Sequence, residues 1–225
     1  MILAVTGGKG GVGKSTVAYN LAAELDAVAV DADLGMADLP AARGPDLHDV
    51  LAGRAEPVEA VREDGTVPLL PCGRSLAGAR AADPTALVDT VRAVKRHYGR
   101  VVIDSPAGLR CDAGLPLFAA DACVLVTRPT KPAVADALRA RELARAVETP
   151  LARVVVNRVD PDRMDSPDSR SERLASTLGG PVTRVPDSTA VARAQNAGVP
   201  VRTVAPDSRA REAFASLAGT LEVTV

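Results

Sequence analysis

Short runs of β-branched and other apolar residues alternate along the chain with segments whose apolar side chains recur three and four positions apart. Short, continuously apolar runs are typical of strands covered on both faces, and the longer segments are typical of helices that pack on a sheet. The alternation predicts an α/β fold with a doubly wound, mostly parallel sheet flanked by helices on both faces. The predicted strands are Ile2–Val5, Ala27–Val30, Val67–Leu70, Val101–Ile103, Cys123–Val126, Val154–Val156 and Val182–Val185.

Three segments between these strands have helical periodicity. They are Ser15–Leu25, Pro84–Tyr98 and Val134–Val147. The segment Pro84–Tyr98 has Asp83 as its predicted N-cap, and Gly99 is predicted to end it. The segment 160–173 is polar and has no periodicity, which predicts a loop or a short insertion. The chain has no internal repeat and no long linker, so we expect one domain spanning residues 1–225.

Composition narrows the range of functions. The 225 residues are 47% hydrophobic, which indicates a globular protein. Because 27 Lys+Arg balance 28 Asp+Glu, the net charge is -1, which provides no global attraction to nucleic acid or anionic membranes. With no Trp and 2% aromatic residues, a binder that stacks nucleotide bases on aromatic side chains is disfavoured. No apolar run is long enough for a membrane helix, and no signal peptide fits the first residues. The three cysteines form no C-x-x-C pair. We therefore expect a cytoplasmic protein.

A glycine-rich stretch lies between the first strand and the first helix, and it matches the phosphate-loop pattern G-x-x-x-x-G-K-[ST]. Glycines let successive backbone N–H groups turn toward phosphate oxygens, and the N-terminus of the following helix adds positive potential. In this pattern Lys14 bridges the β- and γ-phosphates and the Ser15 hydroxyl binds Mg²⁺. The residues are Gly8-Lys9-Gly10-Gly11-Val12-Gly13-Lys14-Ser15.

The additional lysine at position 9 makes the loop more specific. The run from Lys9 to Thr16 resembles the deviant Walker A motif of the MinD/ParA family of ATPases. The resemblance implies that this loop, with Thr16, holds ATP, and that Lys9 reaches the phosphates bound by a partner chain in a nucleotide-sandwich dimer. Such a contact would resemble an arginine finger supplied in trans, which accelerates hydrolysis by roughly 10³–10⁵.

Two further acidic motifs match the family. The strand Val101–Ile103 ends in Asp104-Ser105-Pro106-Ala107-Gly108, which resembles the Walker B motif and implies that Asp104 holds Mg²⁺ and that Gly108 lies near the γ-phosphate. Asp31 and Asp33 follow the second strand, where the family has its Walker A′ motif. By that match Asp33 orients the attacking water, and Asp31 supports the metal shell or Lys14. The chain departs from the family at residues 38–40, Asp-Leu-Pro, where relatives usually have Asn-Leu.

The softer matches concern the nucleotide base. Asn157 ends a strand where the family uses an Asn to contact the purine, and its amide can both donate and accept hydrogen bonds. Pro186 and Asp187 follow the last predicted strand and resemble the second base-contacting loop of the family. The resemblance therefore covers nearly the whole chain.

The function implied by the resemblance is an ATP-dependent dimerisation switch for intracellular positioning or partitioning, with ATP and Mg²⁺ as cofactors. Its partners would be a second copy of the chain and an activating or cargo protein. Membrane attachment through a basic C-terminal helix is disfavoured, because residues 217–225 contain no Lys or Arg. A DNA-binding surface is possible, but the arginines between residues 139 and 173 alternate with acids, which favours a solvated mixed-charge surface.

Two alternatives remain open at this stage. Cys72 and Cys111 follow predicted strands, so the chain also resembles the nitrogenase iron protein, in which a cluster bridges the dimer and supports ATP-driven electron transfer. Against this reading, the Pro106-Ala107-Gly108 signature is that of the MinD/ParA branch. A ligase similar to dethiobiotin synthetase shares the fold, but it normally lacks the lysine found here at position 9.

Overall fold

The computed structural model describes residues 1–35, 39, 44–108, 113–164 and 169–224, apart from the side chains of residues 163, 169, 170 and 224. A parallel sheet runs through its centre, with the strand order β3-β2-β4-β1-β5-β6-β7 once the strands are numbered along the chain. All seven predicted strands are present, and the predicted doubly wound α/β architecture is confirmed. The strands are β1 Ile2–Thr6, β2 Val28–Asp31, β3 Leu69–Leu70, β4 Val101–Asp104, β5 Ala122–Thr127, β6 Leu151–Val159 and β7 Val182–Pro186.

Helices cover both faces of this sheet. The three predicted helices are present with shifted ends, since the segment from Pro84 opens with a 3₁₀ turn, Pro84–Ala86, before the α-helix starts at Leu87. Asp83 caps that turn by accepting a hydrogen bond from the Thr85 N–H at 3.0 Å. The helices are α1 Lys14–Glu24, α2 Leu47–Leu51, α3 Leu76–Ala81, α4 Leu87–Tyr98, α5 Gly114–Ala119, α6 Lys131–Ala146, α7 Ser169–Leu178, α8 Thr189–Ala197, α9 Val201–Val204 and α10 Arg209–Thr224.

The prediction of a loop over residues 160–173 is wrong in part. Residues 161–163 form a 3₁₀ turn and α7 begins at Ser169, while residues 165–168 lie outside the described part of the chain. The apolar residues that dock α7, Leu174 and the buried Leu178, lie in its C-terminal half. A helix whose first turn is entirely polar has no apolar period inside the 160–173 window.

The core consists of layers on either side of the sheet. Successive strand residues point to opposite faces, so Leu3 and Val5 pack with α1 and α10, whereas Ile2 packs with α2 and α4. Alanine, valine and leucine fill most of both layers, and Phe214 of α10 is fully buried in the first. No helix within the described ranges is long and apolar enough to cross a membrane.

The strand order determines at which edge of the sheet a ligand site is expected. The chain runs outward from the central β1 to β2 and β3, returns to β4 beside β1, and then continues through β5, β6 and β7 on the other side. Parallel strands end at one edge, and doubly wound sheets bind ligands at that edge where the strand order reverses. The segments that follow β1, β2 and β4, which carry the three motifs, therefore emerge next to one another.

Candidate functional site

The predicted phosphate loop connects β1 to α1 and depends on its glycines for its shape. Gly11 has φ +76° and Gly13, the N-cap of α1, has φ +98°, both in the left-handed region that favours glycine. A Cβ on Gly8 would overlap the backbone carbonyl of Asp136 in α6, and one on Gly13 would overlap the amide nitrogen of Asn157. The loop is thus held tightly between α6 and the end of β6, and a side chain at Gly8 or Gly13 would disturb this packing.

The two lysines of the loop have different surroundings. Lys14, the first residue of α1, is only 7% exposed. Lys9 is partly exposed, and its Nζ lies 3.7 Å from Oδ2 of Asp136 on α6. A buried ammonium needs an anion close by, whereas an exposed ion pair contributes little to stability. Lys14 is therefore placed to bind an anionic ligand inside the site, whereas Lys9 lies at the rim of the site.

Two carboxylates from neighbouring strands meet at the same edge. Asp31 ends β2 and Asp104 ends β4, and the two residues are register partners with 0% and 1% exposure. Asp104 is also the register partner of Val5 in β1, one strand further along. Like charges buried on adjacent strands repel, so this arrangement calls for a cation between or beside them. Carboxylate and hydroxyl oxygens are donors that Mg²⁺ prefers, so the residues present fit that ion.

Asp31 also shapes the segment that carries Asp33. Its Oδ1 accepts a hydrogen bond from the Asp33 N–H at 3.3 Å, and its Oδ2 accepts one from the Leu39 N–H at 3.1 Å. The Asp33 carboxylate accepts a hydrogen bond from the Gly35 N–H at 3.3 Å. Residues 38 and 40, where the sequence departs from the family, lie outside the described residues, and Gly108 is the last described residue before the gap at 109–112.

The residues predicted to contact the base lie at the ends of β6 and β7. The Asn157 amide nitrogen donates to the Val12 carbonyl of the phosphate loop at 2.9 Å, and its Oδ1 accepts from the Arg158 N–H. Pro186 ends β7, and the Asp187 N–H donates to the Val159 carbonyl at 2.7 Å. Asn157 therefore supports the loop directly, and a contact between any of these residues and a base stays a prediction.

A cavity of about 370 Å³ opens beside Ser15 and Thr16, between α1 and α8. Tyr19 and Asn20, one turn further along α1, form part of its wall, and Gln195 of α8 faces them. Tyr19, Asn20 and Gln195 were not predicted, although the spacing of Thr16, Tyr19 and Asn20 places these three on one helix face next to the loop. The cavity therefore adjoins the phosphate loop at the start of α1, and Leu39, whose N–H donates to Asp31, also lines it.

Cys72, one of the two cysteines of the iron–sulfur alternative, is buried below the loop that follows β2. Its thiol donates to the Asp33 carbonyl at 3.2 Å, and burial together with the nearby Asp31, Asp46 and Asp33 raises the pKa of the thiol well above its usual range. A cluster ligand must be a thiolate, so this setting does not favour a cluster at Cys72. Cys111 lies outside the described residues.

The comparisons with known proteins agree with this geometry. A model of the CobQ/CobB/MinD/ParA nucleotide binding domain matches residues 3–201. An ATP-binding protein of Methanocaldococcus jannaschii is 38% identical over 173 residues, a match that covers 72% of this chain and 66% of that relative. The cell division ATPase MinD of Pyrococcus furiosus superimposes with a TM-score of 0.88 at 28% identity, over 100% of this chain and 99% of the other. The septum site-determining protein MinD of Pyrococcus horikoshii, complexed with Mg-ADP, gives 0.86 at 26%, over 98% and 95%.

The parallel sheet, the glycine loop and the strand-end acids define a P-loop nucleotide-binding fold. With the match over residues 3–201, the chain belongs to the CobQ/CobB/MinD/ParA family of nucleotide-binding domains, within which the MinD/ParA ATPases are its structural neighbours.

The glycine geometry gives a test of how tightly the loop is held. We expect Gly13→Ala to lower the free energy of unfolding by about 1–3 kcal/mol, because it places a side chain at positive φ and against the Asn157 amide. Gly10→Ala is the matched control, since a Cβ there meets nothing within 4 Å and its φ is not positive. Urea unfolding without ligand measures both, and equal stabilities of the two variants would contradict this account of the loop.

Proposed function

We propose that the protein is a MinD/ParA-type ATPase that hydrolyses ATP to ADP and phosphate and uses the nucleotide to control dimerisation. The observation that carries the proposal is the concentration of charge at one edge of the sheet. Lys14 is buried at the start of α1, and the buried Asp31 and Asp104 end adjacent strands at the same edge. A Mg²⁺–triphosphate ligand, which is anionic and carries its own cation, complements both the ammonium and the carboxylates.

Nucleotide binding in this proposal uses the loop backbone first. The N–H groups of the loop from Gly8 to Gly13 surround the phosphates, Lys14 contacts the β- and γ-phosphates, and Thr16 lies toward the nucleoside. Ser15, Asp31 and Asp104 hold Mg²⁺, directly or through water, and Gly108 approaches the γ-phosphate. The ion neutralises negative charge on the phosphate oxygens. In this proposal Asn157, Pro186 and Asp187 contact the base.

Hydrolysis is attack of a water oxygen on the γ-phosphorus, with cleavage of the bond to the β–γ bridging oxygen and departure of ADP. Asp33 is the residue that orients this water, because it lies two residues beyond the end of β2 and its carboxylate accepts a hydrogen bond from the Gly35 N–H. It accepts a hydrogen bond from the water, and the proton leaves with the inorganic phosphate.

Lys9 is the residue that makes the site dependent on a second copy. Its ion pair with Asp136 is partly exposed, with 42% and 22% of the two side chains accessible, so about 1 kcal/mol or less holds it there. We infer that a closing partner releases Lys9 from Asp136 and draws it to the phosphates of the other subunit. Each site then becomes complete only in the dimer.

The proposed cellular role is based on the roles of related proteins. MinD of P. furiosus is a cell division ATPase and MinD of P. horikoshii is a septum site-determining protein. We propose that this protein likewise takes part in positioning or partitioning, through an activating or cargo protein that recognises the ATP-bound dimer. The mixed charge of its surface does not single out DNA as a partner.

The two lysines give separable effects. We expect Lys14→Ala to lose Mg-ATP binding, because the buried ammonium has no substitute, whereas Lys9→Ala binds ATP normally but fails to dimerise or to hydrolyse it. Calorimetric titration measures binding, and light scattering measures dimerisation. Lys95→Ala is the matched control, since Lys95 forms an ion pair of the same kind, 3.6 Å from Asp121 at the opposite edge of the sheet. Equal loss of ATP affinity in Lys9→Ala and Lys14→Ala would contradict the trans role.

The assignment of Asp33 predicts a trapped state. We expect Asp33→Ala to bind Mg-ATP and to accumulate an ATP-loaded dimer, with the hydrolysis rate lowered by roughly 10²-fold or more, because the variant loses only the group that positions water. Size-exclusion chromatography with light scattering, in ATP and in ADP, measures the trap. Asp207→Ala, an exposed acid outside the site, is the control. Wild-type hydrolysis by Asp33→Ala would show that another group positions the water.

A further inference from the structure

A buried thiol and a buried imidazole lie directly beneath the backbone that carries Asp33. The Cys72 thiol donates to the Asp33 carbonyl at 3.2 Å. His48 Nε2 lies 3.1 Å from the Leu34 carbonyl and 3.5 Å from the Cys72 sulfur. Cys72 and His48 are each only 2% exposed. We call this pair the thiol–imidazole latch, because it holds two consecutive carbonyls of the segment that follows β2.

The contacts fix the proton on the imidazole. The Leu34 carbonyl can only accept, so Nε2 must carry the hydrogen and donate it. His48 Nδ1 is buried and has no hydrogen-bond partner among the described residues. It packs against Gly73 and Gly78, where an added Cβ would overlap Nδ1 in the first case and lie 3.0 Å from it in the second. The ring is thus wedged in one orientation, with its donor aimed at the Leu34 carbonyl.

The latch rests on a rigid base. Helix α2, which carries His48, begins with a capping box in which Asp46 Oδ1 accepts from the Asp49 N–H at 3.1 Å and Asp49 Oδ2 accepts from the Asp46 N–H at 3.3 Å. The Leu47 N–H donates to the Pro71 carbonyl at 2.9 Å, next to Cys72. Both latch residues are therefore fixed to the end of β3, two strands away from Asp104.

We propose that Cys72 and His48 are positioning residues for Asp33, which hold its backbone so that its carboxylate meets the attacking water. The inference rests on the proposed hydrolysis. Both side chains lie under the backbone and reach it through carbonyl groups, and neither belongs to the residues proposed above to contact the nucleotide or Mg²⁺. The latch should therefore control the rate of hydrolysis and leave ATP affinity unchanged, since a small misplacement of a catalytic group is enough to slow a reaction.

Single substitutions at Cys72 separate its hydrogen bond from its bulk. Cys72→Ala removes the donor to the Asp33 carbonyl, whereas Cys72→Ser restores an O–H donor at nearly the same place. Cys123→Ala is the matched control, because Cys123 is equally buried in β5 and belongs to a separate cluster with Ala4 and Leu117. Gly73→Ala tests the imidazole from the other side, since its Cβ overlaps the His48 ring. The same Cβ lies 2.8 Å from Asp46 Oδ1, so part of its effect passes through the capping box of α2.

The experiment measures single-turnover hydrolysis of Mg-ATP, ATP affinity and thermal unfolding for each variant. We expect Cys72→Ala and Gly73→Ala to slow hydrolysis by roughly ten- to a hundredfold with affinity changed by less than about twofold. We expect Cys72→Ser to recover most of the rate, and Cys123→Ala to match the wild type in rate. A purely structural role would instead lower stability alike in Cys72→Ala and Cys72→Ser, with no difference in rate between them.

The outcomes against the latch are distinct from those against the proposed function. An unchanged rate in Cys72→Ala, a rate that falls together with ATP affinity, or a Cys72→Ser variant as slow as Cys72→Ala would each overturn the latch while the wild-type enzyme remains an ATPase. A wild-type protein that binds and hydrolyses no Mg-ATP would refute the proposed function itself, and the positioning role would be refuted with it.

Discussion

The register between β2 and β4 is the constraint from which the site follows. It places the carboxylates of Asp31 and Asp104 on adjacent strands, both out of contact with water. Two buried carboxylates side by side are costly unless a cation compensates them, and both lie at the edge where the glycine loop starts. Packing alone would favour apolar residues at both positions. Two buried carboxylates at this edge are suited to a site that binds a metal–phosphate ligand.

The second constraint is the packing of the glycine loop between α6 and β6. Backbone from Asp136 approaches Gly8 and the Asn157 side chain approaches Gly13, so the loop shape is built before any nucleotide arrives. This preorganisation separates the two lysines, with Lys14 under the loop and Lys9 outside it, beside Asp136. In our proposal, one short loop therefore contacts the nucleotide of its own subunit through Lys14 and the nucleotide of the partner through Lys9. The thiol–imidazole latch extends the same preorganisation to Asp33 from the opposite side.

The sequence was sufficient for the features that depend on local pattern. Continuous apolar runs predicted all seven strands, and the loop and acid motifs predicted which residues reach the carboxyl edge. Helix α7 was missed because its first turn is polar, and α2 and α3 are too short for periodicity. Helices α5, α8, α9 and α10 were not predicted either. The contacts of Cys72 with Asp33 and of His48 with Leu34 join residues 39 and 14 positions apart. Such contacts depend on the order of strands, so single-residue patterns could not reveal them.

Complementation between two inactive variants tests the shared site most directly. Lys9→Ala and Asp33→Ala are each mixed with Mg-ATP, alone and together, and the release of phosphate is measured. If Lys9 acts across the dimer, the mixed dimer contains one intact site, with Asp33 from one chain and Lys9 from the other, and the mixture hydrolyses ATP although neither variant does so alone. If Lys9 acts within its own chain, neither site of the mixed dimer is intact. In a mixture that light scattering shows to contain dimers, hydrolysis no greater than the sum of the separate variants would contradict the account.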